Sequence, residues 1–379
     1  MAFQMLGVAV GWQIYAITGS ALYLGLIGLV QFMPMFLLTL VVGHVADRYD
    51  RRRITRICQT VEGLAAWALA LASFSGWQSK ASILVSIFII GATRAFEGPT
   101  MQALLPGLVP TELIPRAAAW SASATQTAVI IGPALGGFLY AAGPSAVYAT
   151  AGILFLAASV FIALIRIERI TSKHAPISIR SLFAGISFIR SRKEILGAIS
   201  LDLFAVLLGG ATALLPIYAR DILVTGPWGL GLLRSAPAVG ALMMSVLLAR
   251  RPLQRRVGRT MFIAVAVFGA ATIIFALSTS FILSLASLVV LGASDVISVV
   301  IRQSLVQIGT PDEMRGRVSS VNSMFIGTSN QLGEFESGVT AAIFGVVPAV
   351  LIGGIGTIIV VILWMRFFPK LAQIDSLAR

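Results

Sequence analysis

Runs of apolar residues close to twenty long recur from one end of the chain to the other, separated by short stretches rich in Gly, Pro, Ser and charge. About 20 apolar residues in a helix cross a hydrocarbon core of about 30 Å. Irregular backbone cannot face lipid, so the runs are predicted to be helices. Apolar periodicity and turn residues place them near 1–18, 22–46, 54–75, 81–107, 117–141, 145–166, 195–219, 228–250, 259–278, 280–304, 318–344 and 347–368, twelve spans in all. One connection is long: 167–194, "IERITSKHAPISIRSLFAGISFIRSRKE". It is basic, and "SLFAGISFI" has helical periodicity, which predicts an amphipathic helix along the membrane surface.

Composition agrees with that pattern. Hydrophobic residues make up 58% of the chain, charged residues only 11%, and mean hydropathy is +0.94. A soluble domain is about 45–50% apolar and roughly a quarter charged. The net charge of +13 is not spread like a nucleic-acid face but sits in loops between spans. Arg48, Arg51, Arg52, Arg53, Arg56, Arg116, the basic residues of 166–193 and 250–259, Arg315 and Arg317 fall on one side, against Lys80 and Arg220 on the other. The positive-inside rule makes the heavy side cytoplasmic, predicting a multi-pass protein of the bacterial inner (plasma) membrane. Nothing basic precedes Arg48, so no cleavable signal peptide is expected. The lone cysteine, Cys58, excludes an internal disulfide and a cysteine metal cluster. His44 and His174 are far apart. No metal and no cofactor are expected.

The chain also resembles itself. At an offset of 201, Gly91 falls on Gly292, Gln102 on Gln303, Pro110 on Pro311, Arg116 on Arg317, Gly132 on Gly333 and Gly137 on Gly338. At 203, Tyr15 meets Tyr218, Gly28 meets Gly231 and Pro34 meets Pro237. The matches follow the chain in order. They predict a six-helix bundle at 1–166, a cytoplasmic linker at 167–194 and a second six-helix bundle at 195–379. Such repeats build alternating-access transporters, with substrate bound near the midplane. The seventh span begins near Ile195, so its partner would begin about eight residues ahead of Met1. Asp202 then has no counterpart, and the first helix is expected to be truncated.

Three motifs carry a resemblance to a known family. "GHVADRYDRRR" at 43–53 resembles the G-x-x-x-D-R-x-G-R-R loop of the major facilitator superfamily. Gly43, Asp47, Arg48, Arg51 and Arg52 match, and Asp50 replaces a glycine. "RAFEG" at 94–98 is similar to that family's R-x-x-Q-G, with Glu97 for glutamine. "GPALGG" is similar to the helix-five motif associated with antiporters, through Gly132, Pro133, Gly136 and Gly137, with Ala128 for an earlier glycine. "TPDEMRGRVSSVN" and "NQLGEFESG" resemble the transmembrane secretion effector branch that includes the enterobactin exporter. The resemblance spans the whole chain. It implies an all-α membrane fold of twelve helices in two pseudo-symmetric bundles, with the 47–52 charges latching them on the cytoplasmic side. The plainer reading of the arginines is topological anchoring, and of the glycines close helix packing with a Pro133 kink.

Nine ionisable residues fall inside spans: Glu62, Arg94, Glu97, Asp202, Arg234, Asp295, Arg302, Glu334 and Glu336. A charge near the bilayer centre costs about 2.5–3.5 kcal/mol on insertion scales, so such residues normally face a cavity or a bundle interior. Arg302 is placed near a cytoplasmic end, where it would snorkel. Glu62 is placed two turns into the third helix, within reach of the loop arginines. Arg94 and Glu97 are three apart and can pair. Glu334 and Glu336 are about 200° apart around a helix. Glu334 shares a stripe with Asn330 and Gln331, while Glu336 is expected to meet a neighbouring helix. Under the repeat, Arg94 overlays Asp295 and Gln31 overlays Arg234, which would let them pair across the halves or line one cavity. The candidate proton and substrate pathway is therefore Glu97, Arg94, Asp202, Asp295, Arg234, Glu334, Asn330 and Gln31, with Glu97 first. The competing reading for each is a static pair that fixes helix packing.

The expected function is proton-coupled export of a small organic molecule, siderophore- or drug-like, by alternating access. Expected partners are that small-molecule substrate, protons and the lipid bilayer; no nucleic acid is expected, and the chain is expected to act as a monomer. No G-x-x-x-x-G-K-[ST] is present, so ATP drive would need a partner. An enzyme would want a clustered catalytic set that two distant histidines and one cysteine do not supply. Uptake or facilitated diffusion on the same fold, and less so a lipid flippase, remain the alternatives.

Overall fold

The computed structural model describes residues 1–165, 179–253 and 255–376, and within these it leaves out the side chains at 39–40, 43–44, 46–48, 179–182 and 312. The described residues form helices and no strands. In chain order these are α1 (Ala2–Thr18), α2 (Ala21–Arg48), α3 (Arg51–Phe74), α4 (Lys80–Leu104), α5 (Ile114–Leu139), α6 (Pro144–Leu164), α7 (Ile179–Ser191), α8 (Lys193–Leu208), α9 (Leu215–Ile217), α10 (Gly226–Arg250), α11 (Val257–Leu277), α12 (Phe281–Gly309), α13 (Asp312–Phe344), α14 (Val346–Phe367) and α15 (Pro369–Ala372). The expected twelve long helices are α1–α6, α8 and α10–α14. Ten described segments are long and apolar enough to cross a membrane. The shorter apolar α1 has 17 residues. The other long helix outside the ten, α13, has 33 residues and carries Glu334, Glu336, Asn330 and Gln331 along its length.

Local signals set the helix ends. Asp50 caps α3 by accepting from the Arg52 backbone N–H at 2.9 Å. Ser79 and Ser82 form a reciprocal capping box at the start of α4. Gly143 and Gly345, at φ 100° and 90°, make equivalent turns before α6 and α14; only glycine takes that backbone without strain. The seventh span departs from the expected continuous helix. α8 stops at Leu208, a 3₁₀ turn follows at Ala211–Leu214, and after α9 a π-turn covers Tyr218–Ile222. The Gly209-Gly210 pair and Pro216 supply the break, and Gly210 lies against the Gly333 carbonyl of α13.

The chain divides into two compact units. The first holds Met1–Gly19, the described part of Ile27–Ser178, and Gly226–Ser235. In it α3 packs on α4 and α6, and α1 packs on α5 and α6. The second holds Ser20–Leu26, Ile179–Thr225 and Ala236–Arg379, with α11 packed on α12 and α14 and α13 on α7, α8 and α14. The start of α10 thus belongs with the first unit and the start of α2 with the second.

The sequence repeat recurs as packing. A methyl on Gly91 would lie 3.1 Å from Gln31 Cα and Pro34 Cγ, and Gly292 lies closer still on the Pro237 backbone. Gly132 rests on Gln4 of α1, and Gly333 on Val206 and Leu207 of α8. Each pair superposes on the other by the offsets read from the sequence.

The linker helix is present as α7, and it packs against the helices that follow it. Ile186 and Ile189 join Ile195, Ile199, Val306, Val318 and Val321 in one apolar cluster. Gly185 lets α7 approach the Arg317 backbone of α13 closely. Part of its apolar stripe packs on α8 and α13, while Phe183 stays exposed.

Candidate functional site

A polar seam runs down the α3/α4 interface. Thr55 Oγ1 donates to Thr100 Oγ1 at 3.2 Å. The Gln59 amide donates to Glu97 Oε1. Thr93 Oγ1 donates to Glu62 Oε1 at 2.9 Å. The helices are antiparallel, so positions three or four apart on each fall opposite one another in turn. Below the seam, Arg51 Nη1 donates 2.9 Å to the Ala103 carbonyl. Arg94 pairs with Glu97 across 3.7 Å, as its spacing implied, and its guanidinium lies 3.8 Å from the centroid of the Phe3 ring. Glu97 is 15% exposed at its side chain and Arg94 39%. Glu62 is not held by the loop arginines. It is fully buried, Thr93 donates to its Oε1, and Oε2 has no hydrogen-bond donor among the described residues. The arginines turn to helix ends instead: Arg51 to Ala103, and Arg52 to the Ile165 carbonyl.

A second charged cluster lies inside α8, α12 and α13. Arg302 Nη2 is 3.4 Å from Asp202 Oδ2, and Arg302 Nη1 donates 3.1 Å to Asn322 Oδ1. Ser298 Oγ donates 3.3 Å to the other Asp202 oxygen. Asp295, on the same helix as Arg302, lines a cavity of about 10 Å³ with Asp202, Ser294 and Ser298, about the space one water occupies. Arg302 therefore does not snorkel. Only 2% of it is exposed, because α12 continues to Gly309 beyond it and α13 covers it with Asn322.

The remaining candidates are dispersed. Arg234 Nη1 donates 2.6 Å to the Gly7 carbonyl of α1, and Ser235 Oγ donates 2.6 Å to the Ile130 carbonyl of α5. Gly132 and Gly136 face α1, whereas Gly137 faces α10, where a methyl would lie 3.0 Å from Gly231 Cα. The carbonyl of Pro133 meets the same Gly231. The backbone of Gln31 supports Gly91. On α13, Asn330 is exposed and bonds back to the Ile326 carbonyl, and Gln331 Oε1 is buried without a partner among the described residues. Glu334 sits in the same helix with contacts of its own. Glu336 accepts from Thr340, one turn along α13. The side chains of Gly43, Asp47 and Arg48 lie outside the described residues.

Sequence reasoning did not pick out Gln59, Thr93, Ser298 and Asn322. Their signal was spacing: Gln59 is one turn from Glu62, Thr93 one turn from Glu97, and Ser298 one turn from Arg302.

The comparisons with known proteins agree with this architecture. The transmembrane secretion effector family model matches residues 2–379. Enterobactin exporter EntS of Citrobacter koseri is 26% identical over 383 residues, covering 98% of this chain and 90% of that protein. Macrolide efflux protein A of Streptococcus pyogenes is 27% identical over 244 residues, covering 61% of this chain; the match spans only 58% of that protein. Among solved structures, a bacterial homologue of the iron transporter ferroportin in an inward-facing state has a TM-score of 0.67 at 17% identity, covering 98% of each chain. The nucleoside transporter NupG has 0.66 at 14%, covering 97% of each. These likenesses show the fold. With its whole length matched, the chain belongs to the transmembrane secretion effector family and has the major facilitator fold.

Proposed function

We propose that this protein is a secondary active exporter of a small organic molecule, driven by proton entry, in the bacterial inner membrane. The observation that carries the reading is Glu97. Its carboxylate sits inside a span, is shared between Arg94 and the Gln59 amide, and keeps some exposure. A static pair would leave nothing to exchange; a shared, part-exposed carboxylate can change partners as the helices move, and an intramembrane acid of that kind is the usual mark of an ion pathway. The two halves, 1–166 and 195–379, would rock about the site, and the protein would work as a monomer with no catalytic step and no cofactor. Asp202, Asp295 and Glu334 are the competing proton carriers.

The relatives supply the first probes, a macrolide and enterobactin. Everted vesicles containing the protein, with an imposed pH gradient, should accumulate one of them. Glu97→Gln should abolish accumulation while leaving exchange at equal pH. Accumulation by Glu97→Gln as strong as the parent's would move proton coupling elsewhere, and no gradient-dependent movement of either probe in the parent would count against this export reading.

A further inference from the structure

We propose that Glu62 and Glu97 form one two-carboxyl site that takes a single proton, held on Glu62 while Glu97 is paired with Arg94. The inference rests on the proton-coupled reading above and adds a residue to it.

Three observations lead there. The first is the seam. Glu97 faces α3 through Gln59, and Glu62 faces α4 through Thr93, so both acids point into the same helix interface on adjacent rungs. The second is the charge count. The ionisable groups facing Glu62 are Glu97 and Arg94 from α4 and the Cys58 thiol from its own helix; α6 brings the Tyr148 phenol, which donates 2.6 Å to Gln13, and α1 brings the Met1 amino group beside Arg94 and Glu97. Two carboxyl groups thus share one guanidinium, and that guanidinium is turned to Glu97 and Phe3. While the Met1 amino group is uncharged, one added proton makes the set neutral, and an unpaired buried charge is the costliest state for it. The third is the bare oxygen. Glu62 Oε2 is buried and accepts from nothing among the described residues, while Oε1 takes the Thr93 hydroxyl. A carboxylate buried this way wants donors on both oxygens; as a carboxylic acid, Glu62 would carry the proton on the bare oxygen and donate it to Glu97, whose carboxyl lies within hydrogen-bond reach.

Access comes from a cavity of about 600 Å³ between α2, α3 and α4. Cys58 and Thr93 form part of its wall, and Tyr49, Asp50 and Arg53 of the hinge stand in it as well. Thr93, whose hydroxyl holds Glu62, therefore stands in the same cavity wall as the 49–53 loop. When Arg94 leaves Glu97, the proton passes from the Glu62 carboxyl to the Glu97 carboxylate with no change in total charge, and from there it is released.

Infrared difference spectroscopy on purified protein tests this without any transported probe. Parent minus Glu62→Gln should show a protonated-carboxyl C=O band, and parent minus Glu97→Gln an ionised-carboxylate band. Thr93→Val, which keeps the side-chain shape and removes the donor, should shift the protonated band to higher wavenumber, as a freed C=O does; this variant serves if Glu62→Gln fails to fold. A carboxylate-only difference for Glu62→Gln, or an unmoved band in Thr93→Val, overturns the assignment. The protonated band vanishing in Glu97→Gln alone would do so too, while leaving the exporter reading intact. Failure of the exporter reading shows separately, as absent gradient-driven movement in the vesicles.

Discussion

Arg234 of α10 donates a 2.6 Å hydrogen bond to the carbonyl of Gly7 in α1, 227 residues earlier in the chain. A charged donor on a backbone acceptor ties the start of α10 to the first helix, and Gly7 has no side chain to stand between them. A methyl there would already be 3.5 Å from the guanidinium. Hydrogen bonds between membrane helices contribute about 0.6 kcal/mol on average and up to about 1.7. Arg234→Met should therefore lower thermal stability in detergent by an amount in that range, and Arg234→Lys by less, since lysine keeps the charge and a donor. Gradient-driven accumulation should fall further than stability does in Arg234→Met. Equal stability of Arg234→Met and the parent would show that the bond contributes nothing.

The glycines of α5 should differ in a fixed order. A methyl on Gly136 would meet Met5 Cα and carbonyl oxygen at 2.9 Å, which is backbone that cannot turn away. On Gly132 the closest atom is Gln4 Cβ at 2.7 Å, also fixed to backbone, but there only one backbone atom, the carbonyl oxygen of Met1 at 3.2 Å, stands beside it against three at Gly136. Gly98 of α4 has nothing within 4 Å. Overpacking a fitted interface costs about 1–3 kcal/mol. Gly136→Leu should lose folded protein most, Gly132→Leu less, and Gly98→Ala nothing, as measured by detergent melting and size-exclusion profile. A tolerated Gly136→Leu would contradict the seating of α1 on this face.

How much of this could be read in advance depends on where each feature's cause lies. The spans were legible because twenty apolar residues in a row have one stable use in lipid. The internal repeat was legible because Gly91 on Pro34 and Gly292 on Pro237 need small residues at matched positions. The break after Leu208 was not, since Gly209 and Gly210 sit in an otherwise apolar run and only the close approach of α13 shows their purpose. Arg302 was misplaced because its burial depends on Asp202 and Asn322, which are distant in sequence and supply its partners. Glu62 was misread for the same reason: nearness along α3 suggested the loop arginines, while its partner Thr93 lies across the interface.

The arginines of the hinge should separate by the same logic. Arg52 donates to the Ile165 carbonyl beyond the end of α6, and Arg51 to Ala103 near the end of α4. Cations at helix C-termini contribute about 0.3–1 kcal/mol. Arg53 is exposed and makes no hydrogen bond or ion pair among the described residues. Arg52→Gln should lower the melting temperature while membrane orientation is unchanged, because the neighbouring arginines still mark the cytoplasmic side. Arg53→Gln should leave both unchanged. Inverted or mixed orientation in Arg52→Gln would assign that residue to topology rather than to capping.

The sharpest energetic test concerns Asp202 and Arg302, 3.4 Å apart in the interior of the second unit. Removing one partner of a buried pair leaves an uncompensated charge and costs about 3–5 kcal/mol, whereas replacing both is often close to neutral. Asp202→Asn and Arg302→Met should each destabilise strongly. The double variant should recover much of the loss, giving a coupling energy well above the roughly 0.3–0.5 kcal/mol expected for independent sites. Asp295 complicates the outcome in a readable way. It borders the same small cavity as Asp202, and its carboxyl makes no hydrogen bond among the described residues, only its backbone carbonyl accepting from Ser298. If Arg302 turns to it when Asp202 is neutral, Asp202→Asn alone will be milder than Arg302→Met, and adding Asp295→Asn will then bring the full penalty. If the two single variants cost the same and Asp295→Asn adds nothing, Asp295 is no substitute partner, and it stays available as a proton carrier. Additive losses in the Asp202→Asn, Arg302→Met double variant would mean that the two side chains lie near each other without stabilising each other.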